Sequence, residues 1–206
     1  FHDDAETAAE VLGLSLTSRD KNAETPIPMA GFPWHGLDDH LRTMLRAGYK
    51  VTVAEQEDVP RPGAKLLERV VTRIYTPGSL YEEGLLDGDE QSLLAALVLG
   101  NDSLGLAVID ASTGKAWACS HEGNDRFLRL QDDLLRWQPN ELVITPKDAE
   151  HQQLGRLFPH LDGTMVSQHN LSPTKRKERL QTMLQVADLG HLDLDHAPLA
   201  LSLIHI

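Results

Sequence analysis

One cysteine, Cys119, is all that the chain contains, which excludes an intramolecular disulfide framework and suits a reducing cytoplasm. Long apolar runs are missing too. A bilayer span needs about 20 apolar residues, and the longest stretches here, residues 93–99 and 198–201 with the closing 203–206, stop well short. No transmembrane helix is expected. There is no starting Met, and Phe1-His2-Asp3-Asp4 has neither the basic region nor the apolar core of a secretory signal. The last residues, Leu203-Ile204-His205-Ile206, end an apolar run without a polar close. Both ends read as cuts within a longer chain.

Positive charge is also scarce. The 19 Lys and Arg face 31 Asp and Glu, a formal net charge of -12. Duplex affinity comes largely from Lys and Arg on phosphates, so composition by itself does not point to nucleic acid. The imbalance is uneven, with nine cations against twelve acids in residues 1–80 and ten against nineteen in residues 81–206. What is present is ordinary for a globular protein, 41% hydrophobic and 24% charged. The 206 residues fit two small domains better than one large one.

Local patterns give a mixed α/β reading. Asp3-Asp4 is an N-cap candidate for a helix that Gly13 stops, and residues 14–17 read as a short strand. Leu37, Leu41, Met44 and Leu45 fall on one helical face ahead of Gly48. Tyr49, Val51 and Val53 alternate with polar or small neighbours, as do Val70, Thr72 and Ile74, so two strands are predicted, the second stopped by Thr76-Pro77-Gly78. Residues 81–91, acidic and holding Gly84 and Gly88, read as a linker between a domain over 1–80 and another over 92–206. Beyond it, residues 92–99, 104–109 and 115–120 predict three antiparallel strands. A helix carrying Phe127, Leu128, Leu130, Leu134 and Leu135 then leads to a strand at 142–144. The βββαβ order points to a ribonuclease H-like α/β sandwich. Further helices are expected over 149–158 and 173–185.

The most unusual segment is the loop from Thr25 to His35, with three prolines, one glycine and almost no polar side chains. Proline stiffens it, and small residues at Ala30 and Gly31 allow another surface to come close. An apolar loop of this kind either folds back onto its own core or meets a partner.

That loop, Pro26-Ile27-Pro28-Met29-Ala30-Gly31-Phe32-Pro33-Trp34-His35, resembles the I-P-M-A-G-x-P-x-H signature of the MutS family of DNA mismatch repair proteins. Flanking segments are similar in the same order: Phe1-His2-Asp3-Asp4-Ala5, Leu16-Thr17-Ser18-Arg19, Gly48-Tyr49-Lys50-Val51 with Glu55-Gln56, and Arg69-Val70-Val71-Thr72-Arg73-Ile74-Tyr75-Thr76-Pro77-Gly78. The resemblance covers residues 1–80 almost continuously. Past residue 92 it rests on Leu94-Ala95-Ala96, Leu106-Ala107-Val108-Ile109-Asp110 and the βββαβ order.

The resemblance implies a mismatch-recognition domain followed by a connector domain. In the family the first of these approaches the minor groove at a mispair and inserts a Phe wedge from an F-x-E motif. That motif lies before Phe1, so Phe1 is not given the wedge role. The implied DNA-contacting residues are Arg19, Pro28, Met29, Ala30, Gly31 and His35. Kinking a poorly stacked mispair costs less than the few kcal/mol of a paired step, so such a module reads deformability with few cations. Without the wedge, the segment alone is expected to bind mispaired duplex weakly. The family further implies a homodimer, mismatch repair partner proteins, a bacterial cytoplasmic, nucleoid-associated location, and an ATPase using ATP and magnesium in a downstream domain. No catalytic residue, metal or cofactor site is assigned to this segment.

Rival readings remain. A metal-dependent nuclease would use Glu55, Glu57 and Asp58, or Asp110 at a strand end, but needs converging carboxylates. Solvated acids are the plainer reading. Gly114-Lys115-Ala116 lacks the leading glycine and the Ser or Thr of a phosphate loop. Cys119 and His121 can share a strand face, yet a buried thiol explains Cys119 without a nucleophile's machinery. His191, Asp193, Asp195 and His196 are metal-like in composition, with a solvated turn as the alternative. Finally, the acidic second half is compatible with an interaction or connector module that never touches DNA.

Overall fold

The computed structural model describes residues 1–19, 24–56, 69–79 and 91–169. They divide into two compact units, the first running to Thr76 and the second starting at Pro77. The linker at 81–91, apart from Gln91, and the helix expected at 173–185 lie outside the described residues.

In the first unit, helix α1 spans His2–Leu12, one residue ahead of the expected cap. Asp3 and Asp4 sit inside its first turn, where carboxylates favour the positive end of the helix dipole, and Phe1 occupies the cap position without a side-chain bond. Gly13 ends the helix at φ 65°, a left-handed conformation that costs glycine little. The strand expected at 14–17 is shorter than its pattern. The Leu14 amide donates back to the Ala9 carbonyl at 3.0 Å, so the chain joins a ladder only at β1, Thr17–Ser18. β1 pairs antiparallel with β2, Pro28–Met29.

After a 3-10 turn at Trp34–Gly36, helix α2 covers Leu37–Arg46 and buries Leu41 and Leu45, two of the four expected positions on its face. β3, Val51–Gln56, and β4, Arg69–Tyr75, form an antiparallel ribbon with a register shift between Val53 and Ala54. Both are strands, as their alternation predicts, and β4 is exposed along almost its whole length, with Val70, Val71 and Ile74 all open to solvent.

The second unit is built on a five-stranded mixed sheet of order β7-β6-β5-β8-β9. β5 (Leu93–Leu99), β6 (Ser103–Asp110) and β7 (Ala116–Glu122) are the antiparallel meander. Helix α3, Arg126–Trp137, then carries the chain to β8, Glu141–Ile144, which lies parallel to β5, and β9, Met165–Gln168, adds parallel to β8. This is the expected βββαβ order on a ribonuclease H-like sheet. The near-continuous apolar runs of β5 and β6 are explained by burial on both faces. Leu93, Ala95, Leu97, Leu104, Leu106, Val108, Leu142 and Ile144 form one cluster with Leu130 and Leu134 of α3, while Ala96, Ala107 and Val143 form a smaller cluster.

The helix expected over 149–158 is broken. Thr145 caps α4, Pro146–Ala149, by accepting from the Asp148 amide at 3.1 Å. His151 then caps a separate α5, Gln152–Leu157, through Nδ1 to the Gln153 amide at 3.3 Å. Of the two caps only that at His151 falls inside the expected span, and it moves the start of the helix from Ala149 to Gln152. Among the described residues no helix is long and apolar enough to cross a membrane.

Candidate nucleic-acid interface

The residues singled out in the first unit are brought together by a very short ladder. Thr17 pairs with Met29 and Ser18 with Pro28, the Thr17 hydroxyl donates to the Met29 carbonyl at 3.0 Å, and the Arg19 amide donates to Ile27 O at 3.2 Å. Arg19 therefore stands opposite Ile27, one position beyond the Ser18–Pro28 pair, and it is exposed. Pro28, Met29 and Ala30 are half-buried, and the turn then emerges into solvent from Gly31 to His35. No heavy atom lies within 4 Å of the point where a Cβ on Gly31 would stand. His35 is placed further on, in the 3-10 turn, and is exposed.

The loop has not folded back completely. Trp34 is 84% exposed, and Phe32, though edge-on to the His40 ring at 4.3 Å, is still 37% exposed. The turn thus keeps two large apolar side chains at least partly in water.

The acids raised as nuclease candidates do not converge among the described residues. Glu55 is exposed on β3 opposite Val70; Glu57 and Asp58, like the cluster at 191–196, lie outside the described residues. Asp110 is buried, and both of its oxygens are occupied. Oδ1 accepts from the Ser112 amide and hydroxyl at 3.0 and 2.6 Å, and Oδ2 from the Thr113 hydroxyl at 2.8 Å. Burial raises the pKa of this carboxyl, but the hydrogen bonds from Ser112 and Thr113 outweigh it and hold the group below its ordinary 3.8. Asp110 ties the β6–β7 turn.

A depressed carboxylate stabilises the fold above its unfolded-state pKa, and the contribution is lost as pH falls through the folded value. Asp110→Asn is thus expected to cost about 1 kcal/mol at neutral pH. The difference from the parent should shrink in urea titrations as pH falls below 3.8 and through the lowered folded-state value, where the parent carboxyl becomes protonated.

A second cluster lies in the other unit. Cys119 and His121 share a face of β7, as their spacing predicts. Sequence reasoning missed the group they meet: Asp133 of α3, whose Oδ2 lies 2.7 Å from His121 Nε2 and 3.4 Å from Cys119 Sγ. A signal existed, because Leu130, Asp133 and Leu134 are all buried at helical spacing, which puts a carboxylate on an apolar face. Arg136 holds the other oxygen, Oδ1. Burial, reinforced by the Asp133 charge, pushes the Cys119 thiol up to about 12, so it is a poor nucleophile at neutral pH.

These features define a chain of two α/β units, the first presenting an apolar turn beside an exposed arginine, the second built on a ribonuclease H-like sheet. Residues 1–84 match the family model for MutS domain I and residues 92–205 that for MutS domain II. The chain is 39% identical over 199 residues to the DNA mismatch repair protein MutS of Syntrophomonas wolfei, covering 94% of this chain and 23% of that protein. It is 35% identical over 213 residues to the protein of the same name from Acaryochloris marina, covering 97% and 24%. The chain belongs to the MutS family of DNA mismatch repair proteins, and it spans about a quarter of the length of these relatives.

Proposed function

We propose that this chain supplies the mismatch-facing and connecting parts of a MutS-type protein, and that its first unit lies along the minor groove of duplex DNA kinked at a mispaired or unpaired base. The observation that carries this reading is the ladder joining Thr17 and Ser18 to Met29 and Pro28, extended by the Arg19 amide bond to Ile27, which sets an exposed arginine at the end of the strand that pairs with the apolar loop. A cation and a stiff apolar edge side by side suit a groove that is widened and partly unstacked, where shape and deformability count for more than base-edge hydrogen bonds. Arg19 would meet phosphate. The turn through Ala30 and Gly31 would approach the backbone closely because nothing bulky stands there, and His35 would contact DNA from the neighbouring turn.

In this reading the second unit transmits strain between DNA and the rest of the protein without touching the duplex. Its acidity is then no handicap. Catalysis, with ATP and magnesium, belongs to other segments. Gly114 and Lys115 close the β6–β7 hairpin, with Gly114 at φ 71°, and do not lead into a helix, so they do not fit a nucleotide phosphate. Homodimer formation and mismatch repair partner proteins are likewise assigned to the whole protein, working on DNA in the bacterial cytoplasm.

The test is photo-cross-linking in the full protein carrying this segment. A benzophenone amino acid in place of Met29 is expected to label mispaired duplex strongly, and one in place of Leu128, exposed on α3, to label it little. No label from position 29, or equal label from both, would remove the DNA assignment. Gly31→Val adds a sharper expectation. Open space around Gly31 predicts an unchanged melting temperature, whereas close approach to a groove predicts duplex binding weakened about tenfold or more.

A further inference from the structure

We propose that Cys119, His121 and Asp133 form a binding site for a borderline-soft divalent cation of the zinc type, bridging β7 and α3. The three ligand atoms lie within 4.8 Å of one another, with Sγ 3.7 Å from Nε2, Sγ 3.4 Å from Oδ2, and Nε2 2.7 Å from Oδ2. Tetrahedral zinc with bonds of about 2.0–2.3 Å requires ligand-to-ligand edges of about 3.4–3.6 Å. Two edges are close to that size. The third is a hydrogen bond of 2.7 Å that an ion would replace, and it needs to open by roughly 0.7 Å, a shift of the two side chains.

The surroundings favour the same reading. Without an ion, the thiol and the imidazole converge on a single carboxylate oxygen, an arrangement that brings three donor atoms to one point. Arg136 grips Oδ1, which fixes the carboxylate and leaves Oδ2 turned to the cluster. This is the outer-shell support that orients a ligand. The Arg136 side chain is 70% exposed, so water screens its charge from the site. His121 and Asp133 are largely shielded, with side chains 14% and 12% exposed. The cluster nevertheless opens into a pocket of about 300 Å³ walled by Trp117, Trp137, Leu106 and Val108, which gives an ion an entry path and leaves room for a water at the fourth position.

A thiolate, an imidazole and a carboxylate select zinc-like ions over magnesium or calcium, which prefer all-oxygen ligands. Binding forms the metal–sulfur bond as the thiol proton passes to solvent. Because β7 is an edge strand of the sheet, the ion would staple that edge to the helix covering it.

The single cysteine makes the test specific. The chain, freed of metal with a chelator, is titrated with Co²⁺ and then Zn²⁺. A thiolate-to-cobalt charge-transfer band can arise only from Cys119, whatever weak ions the ten histidines and many surface acids collect. The expected results are that band, with visible absorption of a four-coordinate ion, its displacement by Zn²⁺, and a melting temperature raised by Zn²⁺. Cys119→Ser should abolish the band. His121→Asn and Asp133→Asn should each weaken Co²⁺ binding about tenfold or more. Absence of the band from the unsubstituted chain, or Co²⁺ affinity unchanged in the substituted chains, overturns the proposal. The first of these outcomes needs no variant to fold.

Discussion

Leu142→Ala is expected to cost the second unit about 2–5 kcal/mol, a large fraction of a typical domain's stability of about 5–15 kcal/mol. Leu142 lies on β8 between β5 and β9, is 0% exposed, and belongs to the cluster that includes Leu130, Leu134 and Leu154. Its partner across the β5–β8 ladder is Ala95, whose side chain is too small to fill the space that the lost isobutyl group would leave. A cavity therefore persists, and its cost adds to the lost burial. Urea unfolding would show the midpoint falling with little change in slope. Leu128→Ala, at a position 65% exposed on α3, provides the contrast and should stay within about 0.5 kcal/mol. A loss below about 1 kcal/mol at Leu142 would mean that β8 is not a central strand of the core.

Gly78→Ala is expected to destabilise the same unit by about 3 kcal/mol, at the upper end for overpacking by so small a group. A Cβ on Gly78 would stand 2.7 Å from Glu141 Cβ and 3.0 Å from Leu94 Cδ1. Neither neighbour is free to leave. Glu141 is buried on β8 and accepts from the Ser167 hydroxyl at 2.6 Å, and Leu94 lies on β5 paired with Glu141. Ser92, also buried, donates its hydroxyl to Pro77 O at 3.4 Å, so the turn before Gly78 is tied down as well. The substitution must move either the turn or the sheet. Thermal unfolding checks it: a midpoint within a degree or two of the parent's would show that the turn can lift away.

Glycine at this position is a matter of space, not of backbone angle, since Gly78 is not among the positive-φ glycines that include Gly13 and Gly48. In the sequence it reads only as the end of a Thr-Pro-Gly turn, and turn chemistry accounts for it without reference to the sheet it touches. The same gap between local and tertiary reading recurs along the chain. Periodicity placed α2, α3 and the central strands of the second unit well, because their apolar faces are set by repeats of 3.6 and 2 that a packed core demands. It placed β4 as a strand but left its exposure open, since alternation states only which side chains share a face, not whether anything covers that face. It started α5 at Ala149 and not at Gln152, because hydrophobic spacing carries no information about the cap that His151 forms with the Gln153 amide.

The candidate interface was more legible than the metal cluster for the same reason. The turn from Pro26 to His35 is contiguous, and its stiffness and lack of polar groups are properties of the residues themselves. Its family resemblance needed only spaced motifs. Cys119 and His121 were visible as a pair at strand spacing, yet Asp133 lies in a different element, and nothing local says that this turn of α3 faces β7.

The amino acids alone determined the family, the two-part organisation and most helices and strands, because each follows from motifs or repeats a few residues long. Tertiary structure decided that the apolar turn stays open, that Gly78 is hemmed in by Leu94 and Glu141, and that one carboxylate on α3 meets a thiol and an imidazole on β7. Those outcomes depend on sheet order and on which helix covers which strand. Both are set by the summed burial of many distant side chains, which no short stretch of sequence encodes.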